Sequence, residues 1–136
     1  MTPSLPRASE KATSPVRLSL PYPPSVNGLT FNAKKGAGKG RVATEAYNAW
    51  KQAAGTRVKD SHRAGFGRYY LNIAVRRPDE RRRDLGNLEK AISDLLVAHG
   101  VVQDDCLAER ITLQWDAGLA EECVVIVGPA EEAMAA

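Results

Sequence analysis

A chain of 136 residues with 43% hydrophobic side chains is long enough to enclose one core and too apolar to remain unfolded throughout. No apolar run nears the roughly 20 residues needed to cross a bilayer, and two cysteines with two distant histidines exclude a recognisable zinc cluster or a disulfide framework. The net charge of +3 conceals a division: residues 1–83 hold 17 lysines and arginines against 5 acids, and residues 84–136 hold 2 against 11. A basic half is the usual footprint of a polyanion. Nucleic acid is therefore the expected partner, and a solvated basic face is the plainer alternative. The amino terminus has no apolar segment of the kind that directs secretion, so a cytoplasmic, reduced protein is expected.

Residues 1–15 are small, polar and proline-bearing and predict a disordered tail. Val16 to Leu20 alternates and predicts a strand. The prolines of residues 21–28 (PYPPSVNG) then impose a stiff, extended loop. Residues 33–41, with Lys34, Lys35, Lys39 and Arg41 among three glycines and two alanines, predict a flexible basic loop. It is not a P-loop, because no Gly-Lys-Ser/Thr occurs and no strand immediately precedes it. Such a loop suits either a phosphate backbone or plain solvent.

Residues 44–54 are rich in helix formers, with Ala46, Tyr47, Trp50 and Ala54 at helical spacing and Gly55 to end the helix. Tyr47 and Trp50 are read as core residues, although stacking on bases is open to them. Tyr69 to Val75 predicts a strand stopped by Arg76-Arg77-Pro78. From Leu85 to about His99 the set Leu85, Leu88, Ile92, Leu95 and Leu96 fits one helical face, with Gly100 as the cap. Ile111 to Trp115 alternates as a strand, and Cys123 to Val127 predicts a more buried one, joined to it by a turn over residues 116–122. The residues from 129 onward form an acidic tail. The order β-α-β-α-β-β predicts an α/β (α+β) domain over residues 16–128, with two helices packed on a small mixed sheet whose exposed face a homodimer would help to cover.

Chemistry concentrates in residues 76–110. Asp84 occupies the expected N-cap, where a carboxylate complements the helix dipole. Arg76, Arg77, Arg81, Arg82 and Arg83 surround it with positive charge that gathers phosphates. A second acidic pair, Asp104-Asp105, follows the helix. A helix of about 14 residues spans roughly 21 Å, and residues 100–105 retrace up to roughly 18 Å when extended. The spacing permits Asp84 and Asp105 to share a metal without requiring it. Lys90, opposite Leu88 and Ile92, is either a solvated lysine or a cation for a scissile phosphate.

The run RRRDLGNLEKAISDLL…GVVQDD resembles the signature of the RusA family of Holliday-junction resolvases: an arginine-rich stretch, D-x-D-N-x-x-K on a helix, and an acidic pair about fifteen residues beyond the lysine. LPYPPSVN is similar to the family's proline-rich segment, and Asn27 at its end joins the expected DNA contacts. The resemblance implies a Mg²⁺-dependent endodeoxyribonuclease (with Mn²⁺ as a possible substitute) that nicks four-way junctions symmetrically as a homodimer in DNA recombination and repair. It implies Asp84 and Asp105 as metal ligands and catalytic groups, Lys90 as the catalytic cation, Asp104 in support and Arg83 on DNA. Gly86 stands where the family carries a second aspartate. Glu89, one turn on, then replaces that ligand, or water does, or the chain binds junctions without cutting them.

Overall fold

Val16–Leu20 (β1) buries Leu18 and Leu20 and turns Arg17 and Ser19 to the opposite face, in a computed structural model that describes residues 14–32 and 41–131. Beyond it, prolines deny residues 21–25 a regular ladder, and side chains of the next helix hold the segment in place. The Trp50 Nε1–H donates to the Pro21 carbonyl at 3.1 Å and the Thr44 hydroxyl to the Gly28 carbonyl at 2.8 Å. Val26–Gly28 closes into a single 3-10 turn capped by Ser25.

Two short strands follow, Thr30–Asn32 (β2) and Arg41–Ala43 (β3), paired antiparallel in a separate two-stranded sheet. Neither was expected from the sequence, because three residues are too few to establish an alternation. The remaining elements follow the expected pattern closely. Glu45–Gly55 (α1) begins at the Thr44 cap, whose hydroxyl accepts the Tyr47 N–H at 3.1 Å, and buries Tyr47, Trp50 and Ala54. Tyr69–Val75 (β4), Glu89–Ala98 (α2), Ala108–Trp115 (β5) and Cys123–Pro129 (β6) complete the fold. The result is a mixed α+β domain with a four-stranded sheet in the order β1-β6-β4-β5.

β4 and β5 are parallel neighbours, so α2 is the crossover of a βαβ unit, while β6 runs antiparallel to both β1 and β4. Residues 116–122 are consequently not a hairpin turn. They carry the chain past β4 so that β6, the most apolar strand, takes a central position with a neighbour on each side. One face of the sheet contributes Leu18, Leu20, Leu71, Ile73, Val125 and Val127 to the core beneath the helices. The other carries Arg17, Ser19, Asn72, Thr112 and Gln114. β6 extends to Pro129, and Ala130 is still buried and bonded to the Arg68 carbonyl, so the acidic carboxy-terminal segment begins later than position 129.

The predicted helix from Leu85 divides in two. Leu85–Leu88 is a 3-10 turn, and only from Glu89 does α-helix begin. Leu88, Ile92, Leu95 and Leu96 are buried, each removal from water contributing about 1.5–3 kcal/mol. Gly100 terminates the helix at φ 74°, where the Val101 N–H bonds the Leu96 carbonyl and the Gly100 N–H that of Val97, a Schellman motif. Val102 then bridges to Phe66, and this returns the chain to the start of β4.

Candidate functional site

The βαβ unit brings the first turn of α2 and the Asp104–Leu107 turn to the same end of the sheet. Tyr69, the first residue of β4, pairs with Ala108, the first of β5, and its fully buried hydroxyl makes no hydrogen bond. Burial, with the charges of Asp105, Glu89 and Asp104 nearby, pushes the phenol up to about 12. Carboxylates from two separated segments thus add to the effect of burial on one phenol.

Lys90 stands beside them. Its ammonium bonds Asp94 Oδ1 at 3.2 Å, and Asp94 Oδ2 accepts the Tyr47 hydroxyl at 3.3 Å, so α1 helps to hold the lysine. The Asp94 bond raises the Lys90 pKa most, with Asp105 and Glu89 adding to it. Lys90 therefore carries its full charge in the pH range of phosphate chemistry, and it lies within the field of both Asp105 and Glu89. Glu89 accepts the Ser93 hydroxyl, one turn on. Asp104 caps its own turn by accepting the Cys106 N–H at 3.0 Å, and that amide, then the thiol, hold its carboxyl below the usual range.

Asp84 is placed differently. It precedes the 3-10 turn in extended conformation, and its side chain makes no capping bond, so the expected cap is absent. A 3-10 start does not present its amides as an α-helical first turn does. Asp84 instead lines an open cleft of about 510 Å³ with Arg82, Arg83 and Leu88 on one side, Tyr22, Pro23, Pro24 and Ser25 on another, and Ala46 and Trp50 of α1. None of the groups that act on Tyr69 or Lys90 lines this cleft.

The arginines also separate by role. Arg83 forms a two-point ion pair with Asp79, at 2.7 and 3.1 Å, which lowers the Asp79 pKa, and its guanidinium lies 5.8 Å from the centre of the Tyr22 ring. Arg81 leans on the same aspartate at 3.8 Å. Arg76 donates to the carbonyls of Leu119 and Ala120 and so ties down the crossing segment, and Arg77 stacks on Trp115 at 4.4 Å. Arg82 has no such engagement among the described residues and faces the cleft. Three of the five arginines expected to gather phosphates are thus bound to protein groups, and Arg77 is held flat on an indole. Asn27 sits exposed in the Val26–Gly28 turn. Lys34, Lys35 and Lys39 lie outside the described residues; Arg41 opens β3.

Among the described residues no group of three or more His, Cys, Asp or Glu side chains is disposed to hold a metal ion. The carboxylates present are hard oxygen donors, and Mg²⁺ commonly takes only one or two of these, filling its octahedron with water and substrate phosphate. Glu89 and Asp105 both contribute to the electrostatic field at Tyr69 and at Lys90. Tyr69, Tyr47 and Tyr22 were not anticipated as part of a site. Tyr47 was read as core, which its burial bears out, and Tyr69 sits in an apolar strand that offers no signal of the acids folded against it. Cys106 is exposed, while Cys123 is buried. No family model matches the chain, and a search of curated proteins finds no match.

Proposed function

We propose that the chain is a Mg²⁺-dependent, structure-selective endodeoxyribonuclease that acts on four-way DNA junctions as a homodimer. The observation that carries the reading is the convergence of Lys90, Glu89 and Asp105 at one end of the βαβ unit, which agrees with the D…K…DD spacing of the resolvase resemblance. Glu89 and Asp105, with Asp84, would hold the ion. When bound, Mg²⁺ supplies neutralisation of phosphate charge and acidification of an attacking water. Lys90, charged and fixed by Asp94, stabilises negative charge on a phosphoryl oxygen. Arg82 contributes sequence-independent affinity through phosphates.

Retention of synthetic four-way junctions against linear duplex, with cleavage followed across a Mg²⁺ series, tests this directly. Paired nicks should appear with Mg²⁺ and fall at least ~100-fold in Asp105→Asn and in Lys90→Met. Glu89→Gln should impair cleavage as well, and full activity in that variant removes Glu89 as a ligand. Equal retention of both DNAs removes the junction claim. A second reading, a junction-binding protein that does not cut, draws on Gly86 and on the absence of a three-carboxylate cluster among the described residues. It expects the same retention with no nicks in Mg²⁺ or Mn²⁺.

A further inference from the structure

We infer that the cleft between the proline segment and the arginine run is a pocket for an unpaired DNA nucleobase. The inference rests on the DNA-binding reading for the source of the base, and not on cleavage. At about 510 Å³ and open to solvent, the cleft is in the range of small-ligand sites. Its apolar surfaces are flat: the Tyr22 ring, the prolines after it, and Trp50 behind. Every nucleobase has a π-face, so aromatic walls accept one without regard to sequence.

The polar groups suit a base more than an aliphatic ligand. The Tyr22 hydroxyl is buried beside Arg83 and is not offered to the cleft. The Asp84 carboxylate and the Arg82 guanidinium face the cleft with no ion pair or hydrogen bond to the described residues, one an acceptor and the other a donor. Base edges present both kinds of group. Arg83, already paired with Asp79, is held against Tyr22 and stiffens that wall. The pocket therefore combines stacking surface, unspent donors and acceptors, and a cation for the adjoining phosphate. A stacked duplex cannot deliver a base to it. A branch point or a single strand can, so the pocket gives the enzyme a reason to prefer DNA whose stacking is already broken.

The test uses a single-stranded oligonucleotide with one internal 2-aminopurine and a terminal fluorescein, titrated with the full chain at low salt. Anisotropy reports binding, and 2-aminopurine emission reports stacking. Wild type should bind and change the emission. Tyr22→Ala should bind about 5- to 150-fold more weakly, the effect of losing one stacking platform, and Tyr22→Phe should keep the stacking signal. Ala46→Trp fills the cleft from an exposed helical position and avoids any dependence on how Tyr22→Ala folds; it should abolish the emission change. An abasic site at the probe position should weaken wild-type binding to the level of the filled variant. Binding with an emission change that survives Ala46→Trp, or abasic DNA bound as tightly as normal DNA, overturns the pocket and leaves DNA binding intact. No anisotropy change at low salt removes the DNA reading and the pocket together. Stacking without junction cleavage upholds the pocket and counts against the nuclease alone.

Discussion

Replacing Tyr69 with phenylalanine should stabilise the protein. Most core substitutions destabilise, so the sign alone is informative. The Tyr69 side chain is completely buried and its hydroxyl has no partner. A buried, unpaired hydroxyl costs about 1–3 kcal/mol relative to one left in water. Phenylalanine keeps the ring and its packing and leaves a gap of roughly 10 Å³, about one water probe. At about 24 cal/mol per Å³ that gap costs ~0.2 kcal/mol. The net gain is then about 1–3 kcal/mol, or a rise in Tm of about 3–12 °C for a domain of this size. Urea unfolding followed by circular dichroism, with an unchanged m-value, measures it. A second signature comes from pH. With the folded phenol at about 12 against the ordinary 10.0, wild type keeps this group's contribution below pH 10 and loses it as pH rises towards 12. The variant should lack that decline. Destabilisation by more than ~1 kcal/mol would refute the reasoning, because it would mean that the hydroxyl is bonded in solution.

Gly86→Asp introduces a carboxylate at a position where an added Cβ meets nothing within 4 Å and the backbone is not in the left-handed region. Stability should hold or rise by a few tenths of a kcal/mol, and half-maximal cleavage should need about tenfold less Mg²⁺; an unchanged Mg²⁺ profile would mean that position 86 does not face the ion. Thiol titration of the native chain should find only Cys106 reactive, with Cys123, buried and pushed up to about 12, appearing on denaturation. The Asp104 carboxylate raises the Cys106 thiol, so Asp104→Asn should lower it and speed the reaction at mildly alkaline pH; a slower reaction contradicts the capping geometry.

Different parts of the fold were legible in the sequence to different depths. Long periodic segments were read correctly, as at Glu45–Gly55, Tyr69–Val75 and Cys123–Pro129, because burial of one face leaves a repeat in the chain. The β2–β3 pair escaped notice, since its order comes from partner hydrogen bonds and not from a pattern of its own. The expectation that Asp84 caps a helix failed for a local reason: Gly86 and Asn87 are poor helix formers, and the first turn tightens to 3-10. Charge alone did not show which cations already have partners in the fold. Arg76 and Arg83 look free in the sequence, yet one is spent on backbone carbonyls of a distant loop and the other on Asp79.

By itself, then, the chain determined its elements, its helical faces and a spacing of Asp84, Lys90 and Asp105 consistent with phosphate chemistry, because these depend on neighbours three or four residues away. Only the tertiary structure decided which of those groups meet. The parallel pairing of β5 with β4 and the return of the chain through Val102 to Phe66 set Asp105, like Glu89, in the electrostatic field of Lys90, and Asp84 lines the Tyr22 cleft. Contacts between residues so far apart along the chain are set by sheet order and packing, and no local spacing encodes them.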